Sequence, residues 1–267
     1  MRRSVSLRLV AIFGFVFLYA PILSLVVFSF NESKLVTVWG GFSTKWYAAL
    51  LEDHQILDAA WISLRVAVMS ATLATVIGTL ASYALARFGR FRFRMLLSGA
   101  VTAPLVMPEV ITGLSMLLLF VALEGLFGWP AGRGVDTLVI AHATFGAAYA
   151  TVVLGSRMSA LDRSVEEAAL DLGARPLRVF FDVTLPALAP ALISSWLLVF
   201  TISLDDLVVS AFVTGPGAST LPMVIFSKVR LGVSPEVNAL ATLVIAAISV
   251  VIVLASWQMR RAAAQAR

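Results

Sequence analysis

Residues 166–186 read EEAALDLGARPLRVFFDVTLP, a charged stretch set between two long apolar segments, Val135–Gly155 and Ala187–Val213. Val165, Ala168, Ala169 and Leu172 recur at helical spacing, with Glu167 and Asp171 on another face. Ser164 and Glu167 fit the capping box that opens a helix. Gly173 suits the left-handed residue that closes one. Pro176 suits the first turn of a second helix, where its missing N–H would be unpaired anyway. Leu177, Phe180 and Phe181 give that second helix a bulky apolar face. Such a pair of short helices around a glycine turn either rests on a lipid surface or docks against a partner. Because its neighbours are apolar over about 20 residues each, the stretch is read as a loop between membrane spans.

The rest of the chain agrees. Of its 267 residues 60% are hydrophobic and only 13% charged, which excludes an ordinary soluble domain. Lipid-facing backbone must satisfy its own hydrogen bonds, so helices or a closed barrel are the choices. The apolar runs are long and unbroken rather than short and alternating, which selects helices. Six spans are expected, at about 9–30, 59–86, 95–123, 135–155, 187–213 and 237–257. The expected fold is therefore an all-α membrane protein of six transmembrane helices, one domain over 1–267, with a cytoplasmic loop at 156–186.

Arginines are segregated by loop. Arg2, Arg3 and Arg8, then Arg87, Arg90, Arg92 and Arg94, then Arg157, Arg163, Arg175 and Arg178, then Arg260, Arg261 and Arg267 fall on one side. The alternate loops hold Lys34, Lys45, Arg133, Lys228 and Arg230, and Arg65 lies inside the second span. The richer side is cytoplasmic, so both termini are expected there. This segregation accounts for the net charge of +5 without a nucleic-acid partner. The basic RFGRFRFR loop, 87–94, is expected to touch anionic lipid. The start, Met-Arg-Arg before a long apolar run with no small-residue cleavage site, reads as an uncleaved first span. The chain has no cysteine, hence no disulfide framework or thiolate metal site. Residues 31–58 form the longest outer loop, with Trp39, Phe42, Trp46 and Tyr47 suited to the interface or to receiving a partner.

Acids inside spans are costly and usually face protein or water. Glu109 lies near the middle of the third span, about 21 Å along a helix. Asp205 and Asp206 lie about 27 Å from the cytoplasmic end of the fifth. Carboxylates at different depths suit a path for a flexible dication; they equally suit buried hydrogen bonds between helices. Neighbours on a helix point about 100° apart, so Asp205 and Asp206 cannot both face one pore. Asp205 is favoured for the path, and Asp206 for a bond to Ser210 or a partner. Pro104 and Pro108 predict a kink in the third span, as a packing feature or a gate. His142 is read as an interhelical bond in preference to a proton relay.

No G-x-x-x-x-G-K-[ST] phosphate loop, metal-binding histidine pair or serine elbow occurs in the sequence. No catalytic residue, metal ligand or cofactor site is assigned.

Glu167-Ala168-Ala169, three residues, Gly173, nine residues, Val183, one residue and Leu185-Pro186 match the EAA signature of ABC importer permeases, with Val183 in place of the usual Ile. Residues 28–47, 102–120 and 203–223 are similar to the polyamine branch, putrescine importers above all. The resemblance implies the type I ABC importer permease fold, with the 156–186 loop, and 164–182 within it, as the coupling segment on an ATP-binding subunit. It places Glu166, Glu167, Ala168, Ala169 and Gly173 at that contact, and leaves Glu109, Asp205 and Asp206 for the substrate path. It implies a non-catalytic subunit of the bacterial inner membrane beside a homologous permease, two ATP-binding subunits that hold ATP and Mg, and a periplasmic polyamine-binding protein. The alternatives are an ABC permease for another small solute and a proton-coupled secondary transporter. Deep carboxylates argue against an anion.

Overall fold

The computed structural model describes residues 2–35, 38–231, 235–247 and 249–250, with side chains from residue 7 on except that of 231. Every regular element among them is helical. They are α1 (Arg2–Phe28), α2 (Lys45–Glu52), α3 (His54–Arg87), α4 (Arg94–Val106), α5 (Glu109–Phe127) and α6 (Val135–Ala160). The charged loop holds α7 (Arg163–Asp171), α8 (Pro176–Val179), a π-helical turn (Phe180–Thr184) and α9 (Leu185–Ala187). Then come α10 (Ala189–Asp205), α11 (Val208–Val213), α12 (Leu221–Leu231) and α13 (Pro235–Ala247). The chain divides into two compact units, Met1–Leu57 with Val224–Arg267, and Asp58–Met223.

Two of the expected spans are broken. The third, expected as one kinked helix over 95–123, is α4 and α5. Pro104 is accommodated inside α4, and Pro108 makes the break. A residue before proline is driven out of the helical region, and Met107 is extended at φ −80°, ψ 138°. The fifth, expected over 187–213, is α10 and α11, separated at Asp206–Leu207. The chain also bends by 70° where Pro176–Ala187 meets α10. The sixth expected span begins as α13; residue 248 and residues 251–257 of it lie outside the described residues.

In the first unit, α1 is apolar throughout its membrane-length stretch and none of that stretch is buried within the chain. The outer loop folds around Asn31, which is fully buried. Its Nδ2 donates to the carbonyls of Leu35 and Val38, and its Oδ1 accepts from the amides of Ser33 and Gly40. The Trp46 indole donates to the Asn31 carbonyl at 2.6 Å. The interface aromatics of the sequence are thus partly inside a small hydrogen-bonded knot. Lys228 of α12 pairs with Asp53, and its Nζ is 3.8 Å from Glu236. Burial pushes the Asp53 carboxyl up, but the Lys228 ammonium and the Ile56 amide together hold it below its usual range. Stability from this contact is present above the ordinary Asp range, about 3.9, and is lost as pH falls through the lowered value.

In the second unit, α6 is the central element, with Leu138, Ala141, His142, Ala150, Leu154 and Met158 all buried. Its length follows from a run of Ala, Val and Leu with no internal proline. Small residues let neighbours come close, as membrane helices require in the absence of a hydrophobic drive between them. A Cβ on Gly78 of α3 would lie 2.6 Å from the Ala150 Cβ, and one on Gly146 would lie 2.5 Å from Val199 Cγ1 of α10. The Ser70 hydroxyl donates to the Val139 carbonyl and that of Thr137 to the Val213 carbonyl, tying α3 and α11 to α6. Gly146→Leu should therefore overpack the α6–α10 contact at a cost of about 1–3 kcal/mol, seen as a lower unfolding temperature of the detergent-purified protein. An unchanged temperature would mean the two helices can part freely.

Candidate functional site: an acidic pocket and a docking lever

The apolar stripe of the charged loop is turned away from this chain: Val165, Ala168 and Leu172 all face out, Leu172 at 89%. Leu177 and Phe181 of the following turns are exposed as well. The acid Glu166 turns inward instead. Arg87, at the end of α3, donates from Nε and Nη2 to its two carboxylate oxygens at 2.8 and 3.1 Å. The Thr184 hydroxyl donates to the same carboxylate at 2.9 Å. Arg163 donates to the Ala86 carbonyl. So α7 is bolted to the end of α3 and, through the π-helical turn, to the start of α10.

Helix α7 opens on Asp162, not on the Ser164–Glu167 capping box expected from the sequence. The Asp162 carboxylate accepts from the Ser164 amide at 2.9 Å, and that bond holds its carboxyl below the usual range. Glu167 is thereby left exposed, beside Ala168 and near the half-buried Ala169. Gly173 ends the helix at φ +87°, a conformation that favours glycine, and Pro176 opens α8, both as expected.

At the far end of α10 a pocket of about 230 Å³ gathers the three acids singled out above. Glu109, Asp205 and Asp206 line it with Thr112, Phe145 and Tyr149, and no basic side chain among the described residues does. Both broken spans open onto it. Glu109 is the first residue of α5, directly after the Pro108 break. Asp205 is the last of α10, where the final carbonyls lack helical partners and the helix dipole is negative. A carboxylate beside such a helix end favours a cation.

The two aspartates differ. Asp205 is exposed, while Asp206 is spent internally. Its Oδ1 accepts from the Val209 amide and its Oδ2 from the Ser210 amide at 2.7 Å, so it caps α11. Its Oδ2 also lies 3.3 Å from His142 Nε2. The expected bond between Asp206 and Ser210 is thus present, made by the Ser210 backbone. His142 is fully buried and bonded across helices, the favoured sequence reading. Sequence reasoning missed Arg87 and Thr184 as partners of Glu166; no local spacing signals them.

A membrane protein of broken helical spans, with a charged loop of short helices at one end and an acidic pocket at the break, is the class this geometry defines. The family described as the binding-protein-dependent transport system inner membrane component matches residues 74–266, and the chain belongs to that family. It is 58% identical over 256 residues to the putrescine transport system permease protein PotI of Escherichia coli K12, across 96% of this chain and 91% of that one. It is 42% identical over 247 residues to the spermidine/putrescine transport system permease protein PotC of the same strain, covering 92% and 90%. Among solved structures, a chain of a bacterial ABC transporter involved in alginate import superposes with a TM-score of 0.71 at 20% identity, covering 96% and 95%. A chain of the MetNI methionine ABC transporter gives 0.61 at 17% identity, covering 78% and 95%. The fold is that of type I ABC importer permeases, in a multi-pass inner-membrane family whose relatives are transport subunits.

Proposed function

We propose that this chain is the membrane-spanning half of an ATP-driven importer of polyamines, putrescine first among them. One observation carries the reading: three carboxylates and no basic side chain share a pocket where two helices are interrupted. Such a pocket fits a flexible dication, with Glu109 and Asp205 meeting separate ammonium groups. Asp206 adds negative charge and fixes the break. The names of the relatives, PotI and PotC, support the substrate class.

The whole chain, 1–267, would act as one permease domain with both termini in the cytoplasm. A homologous permease would complete the pore. One of two ATP-binding subunits, which hold ATP and Mg, would dock on the exposed faces of Glu167, Ala168 and Leu172, with Glu166, Ala169 and Gly173 shaping that surface, and the other would dock on the homologous permease. A periplasmic binding protein would deliver the polyamine. ATP binding would draw the docked subunits together and carry α7 with them. Because α7 is bolted to α3 and to the turn that leads into α10, its displacement reaches Asp205 along about 26 Å of helix.

The test is uptake of labelled substrates by the reconstituted complex. Putrescine or spermidine should enter only with ATP and the binding protein, and an anion of similar size should not. Uptake without ATP, driven by a proton gradient, would replace this reading with that of a secondary transporter.

A further inference from the structure

The break between α10 and α11 owes nothing to proline or glycine, the usual causes of a kink, since neither lies between Ser194 and Thr214. Two side chains hold the interruption open, one local and one tertiary. Asp206 supplies the cap of α11 from within the break. The other partner comes from α6. The His142 ring, fully buried, places Nδ1 2.6 Å from the Ser203 hydroxyl of α10 and Nε2 3.0 Å from the Ser210 hydroxyl of α11. Its Nε2 also faces Asp206 Oδ2 at 3.3 Å. A carboxylate only accepts, so in the neutral ring Nε2 carries the proton and Nδ1 accepts from Ser203. One imidazole thus joins the last turn of α10, the capping acid and the first turn of α11. Phe145, one turn below on α6, packs beside the ring at 5.3 Å and lines the acidic pocket.

We propose that His142 is a positioning residue: a splint that fixes the α10–α11 break, and through it the place of Asp205 and the open carbonyls of α10 in the pocket. It does not itself touch the transported cation, since the pocket lining reaches Asp205 and Asp206 but not the buried ring. Its functional half rests on the reading of the pocket as the cation path. Its structural half does not. The splint works by hydrogen bonding and needs no charge on the ring.

The chain has no cysteine, so a single Leu207→Cys at the break gives a clean probe in the assembled complex. In that background His142→Ala should raise the rate of modification by a water-soluble maleimide by about fivefold or more. His142→Gln, which keeps a hydrogen-bonding group and can never be charged, should return it to within about twofold. If His142→Ala fails to assemble, Ser203→Ala removes only the α10 anchor and should raise the rate in the same direction. An unchanged rate overturns the splint whatever uptake does. With Leu207 restored, His142→Ala should lower the kcat/KM of putrescine uptake about tenfold, and His142→Gln should rescue it. Combined with Asp205→Asn it should add little, because both act at one place. Multiplying losses would overturn the positioning role. A raised modification rate with uptake indifferent to Asp205→Asn would leave the splint standing and sink the pocket as the path.

Discussion

Replacing Glu166 with alanine is expected to cut ATP-driven uptake by more than about tenfold, while the ATP-binding subunits still assemble on the chain. The side chain is mostly buried at 14% exposure, and its partner Arg87 is at 8%. Removing the acid strands a buried guanidinium and frees the Thr184 hydroxyl. Breaking a buried pair from one side costs about 3–5 kcal/mol, and the low end of that range suits a pair near the membrane surface. The energy falls on the joint between α7, α3 and the turn before α10, so it loosens the linkage and leaves the exposed docking face in place. ATP hydrolysis in proteoliposomes should then continue with little transport. Glu166→Gln, which keeps one acceptor for Arg87, should be milder. Glu167→Lys acts at the other surface: it should weaken docking itself, read as loss of the ATPase on purification. Equal uptake by Glu166→Ala and the unmodified chain would show that the joint transmits nothing.

Asp205→Asn should lower the kcat/KM of putrescine uptake by about 10- to 100-fold without altering assembly. A hydrogen bond to a charged group is worth about 1.5–3 kcal/mol, and about 1.4 kcal/mol is tenfold. The exchange keeps shape and removes one charge from a pocket that holds no basic side chain. No hydrogen bond to another side chain is seen for Asp205 among the described residues, so nothing else should unravel. Asp206→Asn is the contrast. It weakens a helix cap and the contact with His142, so it should lower the yield of folded complex before it alters kinetics. Unchanged uptake by Asp205→Asn would make that acid a bystander.

The fold was legible where chemistry is local. Long apolar runs gave the spans, Gly173 and Pro176 gave the turn and second helix of the charged loop, and Pro104 and Pro108 gave a kink in the third span that Pro108 makes a break. Residues whose partners are distant in sequence were not legible. Glu166 was read only as part of the docking contact, because Arg87 and Thr184 reach it only in the fold. The stripe of α7 was legible as a covered face but not its cover: amphipathic spacing says that one face is buried, but not whether lipid or another protein buries it. Asp162 two residues before Ser164 was a readable cap signal that the more distant capping box displaced. The α10–α11 break had one signal in its own segment, the capping acid Asp206, while the other partner, His142, sits on α6. The pocket was half legible: three acids stood out by depth, and only the fold shows two of them at helix ends and the third spent on a cap.

The most direct test of the coupling lever is a crosslink from Ala168→Cys to a cysteine on the ATP-binding subunit of the reconstituted complex. The exposed face of α7 should give a crosslinked product in the resting state, and because α7 travels with the docked subunit the linked complex should still take up putrescine with ATP. If no product forms in any nucleotide state, α7 is not the lever and the coupling is made elsewhere.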